Sequence, residues 1–494
     1  MAKNLVYDIH DKPKFSNMLI FAFQQLLAIL AATIAVPTII GLPTQIPAAI
    51  FGAGVGTLIY QLFTRFKSPV FLGSSFAFLS SLSVAIAYGY CGILLGSIVA
   101  GLVYVVIALI IHFVGTAWIT KLMPPIIIGP TVTLIGLSLA VNAMGDIVKA
   151  NSSVIYGKYN LVALVCGLAA FFTIIICSTQ KKYKMPRLIP FILGIGVGYA
   201  LASVFTAIGS FADIDYLMII NWEPLVNNFV DADGSFRGIA AFLSFPDFAI
   251  VEAIKEIVKG ELPADIRAAN SGATLLNLGG AAEVIIAFLP VALVVFAEHI
   301  ADHKNLSSII EKDLIEEPGL EKTLLGDGVG SIAGTIFGVC PNTTYGESVG
   351  CVAITRNASV CTITTTAIMA MVLSFISPIM TLLQTIPSCV MGGVCLTLYG
   401  FIAISGLKMF KDIDLNNDKN LFVVAAILIS GIGGLTIQIP YALAANGAVK
   451  KTIQVTSIAT ALILGIVTNY VLTRVENGKL GKSSDENEEN KTEE

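Results

Sequence analysis

The chain has 494 residues, of which 55% are hydrophobic and only 13% are charged, and this composition is typical of proteins that cross a membrane many times. The net charge of -4 is small and gives no indication of nucleic-acid binding. Eight cysteines are scattered through apolar segments without a metal-ligand spacing, so we expect reduced side chains and no bound metal or cofactor.

Apolar segments long enough to span a bilayer follow one another along the chain. The N-terminus lacks a cleavable secretory pattern, so we expect the first span to remain in the mature protein. Fourteen spans are predicted, at about 17–40, 46–63, 69–88, 91–113, 116–141, 160–178, 188–206, 279–300, 324–339, 341–356, 359–385, 387–407, 419–438 and 453–473.

Two polar regions interrupt or follow these spans. Residues 207–278 are expected to form an extramembrane connection with some local helix. Residues 475–494 are rich in Glu, Asn, Lys and Ser, and this composition predicts a disordered tail. Within the fifth span, Pro124, Pro125 and Pro130 predict a kink.

Basic residues predict the orientation of the spans. Arg65, Lys182 and Lys411 are examples of Lys and Arg in alternate connections, which face the cytoplasm if the N-terminus is cytoplasmic and the span count is even. Lys450-Lys451 is the exception, because it falls in an outer connection. Both termini are therefore predicted to be cytoplasmic.

The tenth segment, residues 341–356, combines a carboxylate with irregular backbone inside an apolar region. Pro341 and Asn342 are poor helix formers, and we expect an extended stretch that turns at Gly346 into a short helix beginning at Glu347. A broken helix with a charge at the break is typical of the binding site of a secondary transporter. The alternative is a kinked structural helix in which Glu347 is buried against a partner.

An internal repeat links the tenth segment to the third. Ser74-Ser75-Phe76-Ala77 matches Thr343-Thr344-Tyr345-Gly346 by residue type, and seven spans separate the two segments. Because seven is odd, the two halves have opposite orientations, which predicts an inverted repeat of seven plus seven spans. The fold class is therefore all-α and polytopic, with two broken segments that contain short extended stretches.

Two helix N-termini near the bilayer midplane predict a site for a neutral polar ligand or an anion. Glu298 and Glu347 can accept hydrogen bonds from ring N–H groups, as a uracil-like ring presents them. Small residues for close backbone approach and aromatic residues for a flat wall complete the predicted site: Ala77, Gly346, Phe76, Tyr345 and Tyr399.

Three polar residues allow a second interpretation. Glu298 can be a structural charge at the membrane interface, and His303 can lie in a loop outside the membrane instead of in the polar network of Glu298. Gln24 can bond a buried carboxylate or only bridge helices.

At these residues the sequence resembles a known family. The run Asn342–Glu347 with Thr355-Arg356, Ala297-Glu298-His299 and Gly73–Phe78 is similar to the signature of the nucleobase–ascorbate transporter family, in its bacterial uracil permease branch. This resemblance implies cation-coupled uptake of uracil or a related nucleobase through a bacterial inner membrane, with a proton or sodium as the coupled ion. It also implies that Glu298 and Glu347 bind the pyrimidine, that Ser75, Phe76 and Gly346 lie at the ligand, and that Tyr399 approaches from the opposite domain.

The family fold divides into a core domain and a gate domain. The resemblance assigns the chain to 1–114 (core), 115–206 (gate), 207–278 (connection), 279–378 (core), 379–474 (gate) and 475–494 (tail). A homodimer is compatible with the sequence.

Two positions depart from the family pattern. The first span has Gln24-Gln25 where the family usually has Gln-His, and Ser348 follows Glu347 where Asn is common. If protons drive transport, the titrating group is then expected at Glu298, with His303 near it. The alternatives are a xanthine, urate or other purine carrier and an anion exchanger of the same fold. No nucleophile–base pair or phosphate loop indicates an enzyme.

Overall fold

The protein is described here by a computed structural model, which covers residues 5–150, 159–182, 186–187, 189–231, 233–443 and 449–492. The described α-helices in chain order are α1 Phe15–Ile39, α2 Ile46–Phe63, α3 Leu79–Ala85, α4 Gly89–Val114, α5 Ala117–Leu122, α6 Pro125–Asp146, α7 Leu161–Thr179, α8 Pro190–Ala212, α9 Glu223–Phe229, α10 Ala249–Lys259, α11 Ala264–Ala269, α12 Leu278–Ile310, α13 Leu320–Phe337, α14 Gly346–Thr355, α15 Val360–Leu373, α16 Ser377–Gln384, α17 Ser388–Lys408, α18 Asp418–Ile432 and α19 Ser457–Thr492. The described strands are β1 Leu72–Ser74, β2 Asn342–Thr344, β3 Ile437–Leu443 and β4 Val449–Val455.

The fold is helical, as the composition predicts. Among the described residues, nine helical stretches are long and apolar enough to cross a bilayer, and Val360–Leu373 is a shorter apolar helix. Strands β1 and β2 pair with each other, as do β3 and β4. The chain is therefore a multi-pass membrane protein in which strands are short exceptions to the helical fold.

Two predicted spans consist of two helices each. In the fifth, Pro124 precedes α6 and Pro125 is its first residue, so the chain breaks between α5 and α6 instead of bending within one helix. A proline lacks the N–H that a continuous helix would use, whereas it is well accommodated at a helix start. The eleventh span divides in the same way into α15 and α16, with Pro378 in the first turn of α16.

The thirteenth predicted span is too long. Helix α18 ends at Ile432, followed by Gly433 and Gly434, and Gly434 has a φ of 72° that few other residues adopt. Beyond it, strands β3 and β4 form an antiparallel hairpin that the sequence analysis did not predict. The last helix continues to Thr492 and so includes the tail for which the composition predicts disorder. Glu and Lys, which are frequent in this tail, also favour helical backbone.

Helix packing groups the spans into two sets. In the first set α2 packs on α13 and α15, and α4 packs on α12 and α13. In the second set α6 packs on α17 and α18, and α7 packs on α8 and α17. Glycines permit the closest approaches, because a Cβ on Gly52 would lie 2.2 Å from the carbonyl oxygen of Gly334. Helix α12 contacts α6, and α1 contacts α17, so these helices join the two sets.

Candidate functional site

The two broken segments pair with each other near the centre of the molecule. Strands β1 and β2 are antiparallel, with Leu72 opposite Thr344 and Gly73 opposite Thr343. The backbone N–H of Ser75 extends the pairing by donating to the carbonyl of Pro341 at 2.9 Å. Because a helix follows each strand, the pairing brings the N-terminal ends of two short helices to one place.

Tyr345 fixes this arrangement. Its ring lies against Gly73, where a Cβ would be 2.3 Å from the ring, so a side chain at this position would displace it. Its hydroxyl donates to the carbonyl of Ser74 at 3.1 Å and lies 3.3 Å from the hydroxyl of Thr33. Tyr345 therefore connects the two broken segments to α1, in addition to lining the cavity beside them.

Three carboxylates line this cavity, which has a volume of about 500 Å³. Glu298 and Asp302 project from successive turns of α12, and Glu347 lies in the first turn of α14. Asp302 accepts a hydrogen bond from Thr344 at 2.7 Å, whereas Oε2 of Glu298 is buried and has no hydrogen-bond partner among the described residues. The structure thus brings the two predicted glutamates together at the strand pair.

Asp302 is the residue that sequence analysis missed. It lies four positions after Glu298, a spacing that places both side chains on one face of a helix. That spacing was the available signal. It was overlooked because Asp302 lies beyond the predicted eighth span, which ends at residue 300, whereas α12 continues to Ile310.

The aromatic wall is built from both helix sets. Phe76 lines the cavity, and its ring meets the ring of Tyr399 edge to face, with 5.2 Å between the ring centroids. Tyr399 lies on α17 behind Phe76, and Ala77 is buried beside it. The contact between Phe76 and Tyr399 places the cavity at the boundary between the two sets of helices.

The glutamines of α1 lie beside α14. The side-chain amide of Gln25 donates to the hydroxyl of Ser348 at 2.6 Å, and both residues are buried. Gln24 is also buried. The first span is therefore bonded to the broken helix through Gln25 and the residue that follows Glu347.

The structure places His303 on another face of α12. Its Nδ1 donates to the carbonyl of His299 at 2.8 Å, which leaves Nε2 to pair with the Tyr60 hydroxyl at 2.8 Å. Five residues along a helix correspond to a rotation of about 140° from Glu298, so the two side chains diverge. His303 faces α2, so its side chain points away from that of Glu298. The two residues share only the backbone of α12.

A buried His–Asp pair lies next to the site. Nδ1 of His299 is 2.7 Å from the Asp327 carboxylate on α13, and Nε2 is 3.1 Å from the Thr323 hydroxyl. Both side chains of the pair are fully buried. His299 belongs to one of the motifs that carry the family resemblance, but its spacing of 28 positions from Asp327 gives no local indication of the pair.

The cavity continues from the strand pair toward one end of the helices. Asn305, Arg187 and Lys408 line this outer part. Arg187 and Lys408 belong to the group of basic residues that predicts the cytoplasmic side. In this structure the cavity therefore extends toward the predicted cytoplasmic end.

Comparison with known proteins adds a family and a fold. A family model described as "Permease family" (Xan_ur_permease) matches residues 16–440. The uracil permease of Bacillus caldolyticus is 34% identical over 470 residues, which cover 94% of this chain and 94% of that protein. The uracil permease of Bacillus subtilis (strain 168) is 34% identical over 474 residues, which cover 95% of this chain and 96% of that protein.

A solved structure resembles the whole helical arrangement. The murine Solute Carrier 26 family member A9 anion transporter, in its inward-facing state, matches with a TM-score of 0.60. The match covers 94% of this chain and 69% of that chain, at 10% sequence identity. At this identity the likeness concerns the fold alone.

Proposed function

The chain belongs to the permease family, and from this premise we propose that it imports uracil or a related nucleobase across a bacterial plasma membrane. The observation that carries the proposal is the convergence of Glu298, Asp302 and Glu347 on one cavity beside two helix N-termini. A uracil ring presents N–H donors next to C=O acceptors. Carboxylates and free backbone N–H groups are complementary to that pattern.

We assign the roles within the cavity by this complementarity. Glu298 and Glu347 accept hydrogen bonds from the ring N–H groups, and the backbone at Phe76 and Gly346 donates to the ring carbonyls. The Phe76 ring provides an apolar wall for the flat ligand, and Tyr399 supports that ring from the other helix set. Arg187 and Lys408 lie in the outer part of the cavity, away from the two breaks, which favours a neutral ligand over an anion.

We further propose fourteen spans in a seven-plus-seven inverted repeat. If each broken or divided segment is counted once, and α9, α10 and α11 of the connection are left out, α1 to α19 make fourteen segments. Elements seven segments apart pack against each other in three cases: α2 with α13, β1 with β2, and α6 with α17. Such pairing is expected where the two halves are related by a pseudo-two-fold axis in the membrane plane. The first helix set is then the core domain, and the second set is the gate domain.

Cation coupling follows from the charge of the cavity. Three ionised carboxylates around one cavity repel one another, and a bound proton or cation removes part of that repulsion. We propose a proton as the coupled ion and Glu298 as the group that carries it, because its Oε2 is buried and no group in the described part of the chain bonds to it. Substrate and proton at adjacent groups then influence each other's affinity reciprocally.

The test is accumulation of radiolabelled uracil in proteoliposomes under a proton gradient. We expect a protonophore to abolish accumulation by the unsubstituted protein and Glu298→Gln to lose accumulation while retaining less pH-dependent exchange. Accumulation that survives the protonophore but requires sodium would disprove proton coupling, and accumulation by Glu298→Gln would remove this residue from the coupling step.

Competition in the same vesicles separates the alternatives. Unlabelled uracil should compete more strongly than xanthine, urate or bicarbonate. Stronger competition by xanthine or urate would assign the chain to purines. Competition by bicarbonate alone would favour an anion carrier of the same fold.

A further inference from the structure

Helix α10, in the connection between α8 and α12, is fixed to the end of a membrane span. The Glu256 carboxylate accepts from the backbone N–H of Tyr90 at 2.7 Å and of Cys91 at 3.1 Å, in the first turn of α4. These amides have no partner within α4, and a carboxylate is favoured at a helix N-terminus. Gly89, with a φ of 68°, permits the contact because a Cβ there would lie 2.4 Å from Glu256 Oε1.

Further bonds hold the same segment at this level. The Tyr90 hydroxyl donates to Asp265, and the N–H of Thr274 donates to the carbonyl of Ala87 at 2.9 Å. The helix is therefore fixed at the point where α4 begins, and its position relative to the membrane is set by that span.

The residues of α10 divide into three sectors around its axis. At about 100° per residue, Ala249, Ala253 and Glu256 fall within one sector. All three are buried and face the protein. The second sector, centred about 140° away, contains apolar side chains with exposed fractions of 43%, 52%, 73% and 79%: Val251, Ile254, Ile257 and Val258.

The third sector is charged. It contains Glu252, Lys255 and Lys259, and Lys255 donates to Glu252 at 2.6 Å. The centre of this sector lies about 130° from the centre of the apolar one. Four apolar side chains exposed together on one sector form a contiguous patch whose contact with water is unfavourable, and such a patch indicates contact with another apolar environment.

The neighbouring spans identify that environment. Leu102, Val106 and Phe113 form an exposed apolar stripe along the second half of α4, and on a membrane-spanning helix such a stripe faces lipid, so the span that holds α10 is itself exposed to lipid. Large apolar side chains are also exposed where the connection leaves α8 at Phe211 and joins α12 at Leu278. The apolar sector of α10 thus lies at the end of the spans, where the connection itself exposes large apolar side chains, and a lipid surface is the environment that suits both.

We propose that α10 lies in the interfacial layer of the bilayer, with its apolar sector in the lipid and Lys255 and Lys259 toward the headgroups and water. An amphipathic helix of this kind lies in the membrane plane and is held by its buried apolar area. The partner is therefore a lipid surface. The proposal depends on the membrane fold and is independent of which substrate the protein carries.

Tryptophan quenching in vesicles tests this placement. In full-length protein with Trp118 and Trp222 replaced by Phe, Val258→Trp reports from the apolar sector, and Ile254→Trp is a second reporter there. Lys255→Trp is the matched control on the charged sector. With lipids brominated in the acyl chains, we expect Val258→Trp and Ile254→Trp to lose most of their emission and Lys255→Trp to lose little. Aqueous iodide should give the reverse order.

Two outcomes overturn the proposal. If iodide quenches both apolar-sector reporters as strongly as the control and brominated lipid does not, the sector faces water. If neither quencher reaches them, protein covers the sector, as in an interface between two copies. Elution as a single monodisperse species is the criterion for a folded variant, and two reporters on one sector keep the test decisive if one variant fails to fold.

Discussion

Gln25 and Ser348, the two positions that depart from the family pattern, are in direct contact. The Gln25 amide donates to the Ser348 hydroxyl at 2.6 Å in a buried environment, one residue from Glu347. A change at one position alters the hydrogen-bonding needs of the other, because a buried polar group without a partner is costly. The two departures are therefore best regarded as one coupled change beside the predicted ligand site.

A double-mutant cycle tests this coupling. We expect Gln25→Ala and Ser348→Ala to be non-additive, with a coupling energy of about 0.5–1.5 kcal/mol in the free energy of unfolding. The measurement is equilibrium unfolding in detergent of both single variants and the double variant. Additive effects would show that the hydrogen bond contributes nothing measurable.

Glu347 provides the second prediction for a single residue. Glu347→Gln replaces a carboxylate acceptor by an amide, and losing a charge-assisted hydrogen bond costs about 1.5–3 kcal/mol. We expect uracil affinity to fall by roughly 10- to 100-fold. Equilibrium binding of labelled uracil measures the effect. Glu317→Gln is the matched control, because Glu317 pairs with Lys67 on the exposed surface and should leave affinity unchanged.

At the scale of elements, the N-terminal residues 5–11 are hydrogen-bonded to the segment that follows α14. The N–H of Val6 donates to the carbonyl of Arg356 at 2.8 Å, and the N–H of Ala358 donates to the carbonyl of Tyr7 at 2.9 Å. Ile9 is buried in a cluster that contains residues from both α12 and α14. The N-terminal segment thus joins the two helices that carry the cavity carboxylates.

Truncating Ile9 should weaken this contact and lower the free energy of unfolding. Ile9→Ala removes a side chain that is 5% exposed, and a buried Ile→Ala change typically costs about 2–5 kcal/mol. Val6→Ala is the control, since Val6 is 56% exposed and should cost less than about 0.5 kcal/mol. Equilibrium unfolding compares the two variants. Equal effects would mean that residues 5–11 do not hold the helices together.

For the whole molecule, the distribution of basic residues makes the fourteen-span topology testable. Cysteine-accessibility labelling of intact cells should place positions near Lys182 and Lys411 in the cytoplasm. Positions near Ser152, which lies outside the described residues, should react from the external side. Labelling of Ser152→Cys only from the cytoplasmic side would contradict the fourteen-span proposal.

The sequence by itself determined the features that depend on residues close together along the chain. Length and hydrophobicity located the long apolar helices, because a helix that crosses the bilayer must match its thickness. Pro341, Gly346 and Glu347 predicted the broken tenth segment, and the structure has β2 followed by α14 there. These features follow from local backbone preferences and need no knowledge of other helices.

Only the tertiary structure decided which faces and distant residues meet. The bond between Thr344 and Asp302, the direction of His303 toward Tyr60 and the antiparallel register of β1 with β2 join residues far apart in sequence. In an apolar chain every helix face is hydrophobic, so periodicity does not indicate which face is buried. Packing of neighbouring helices makes that choice, and it is what assembled the carboxylate cavity.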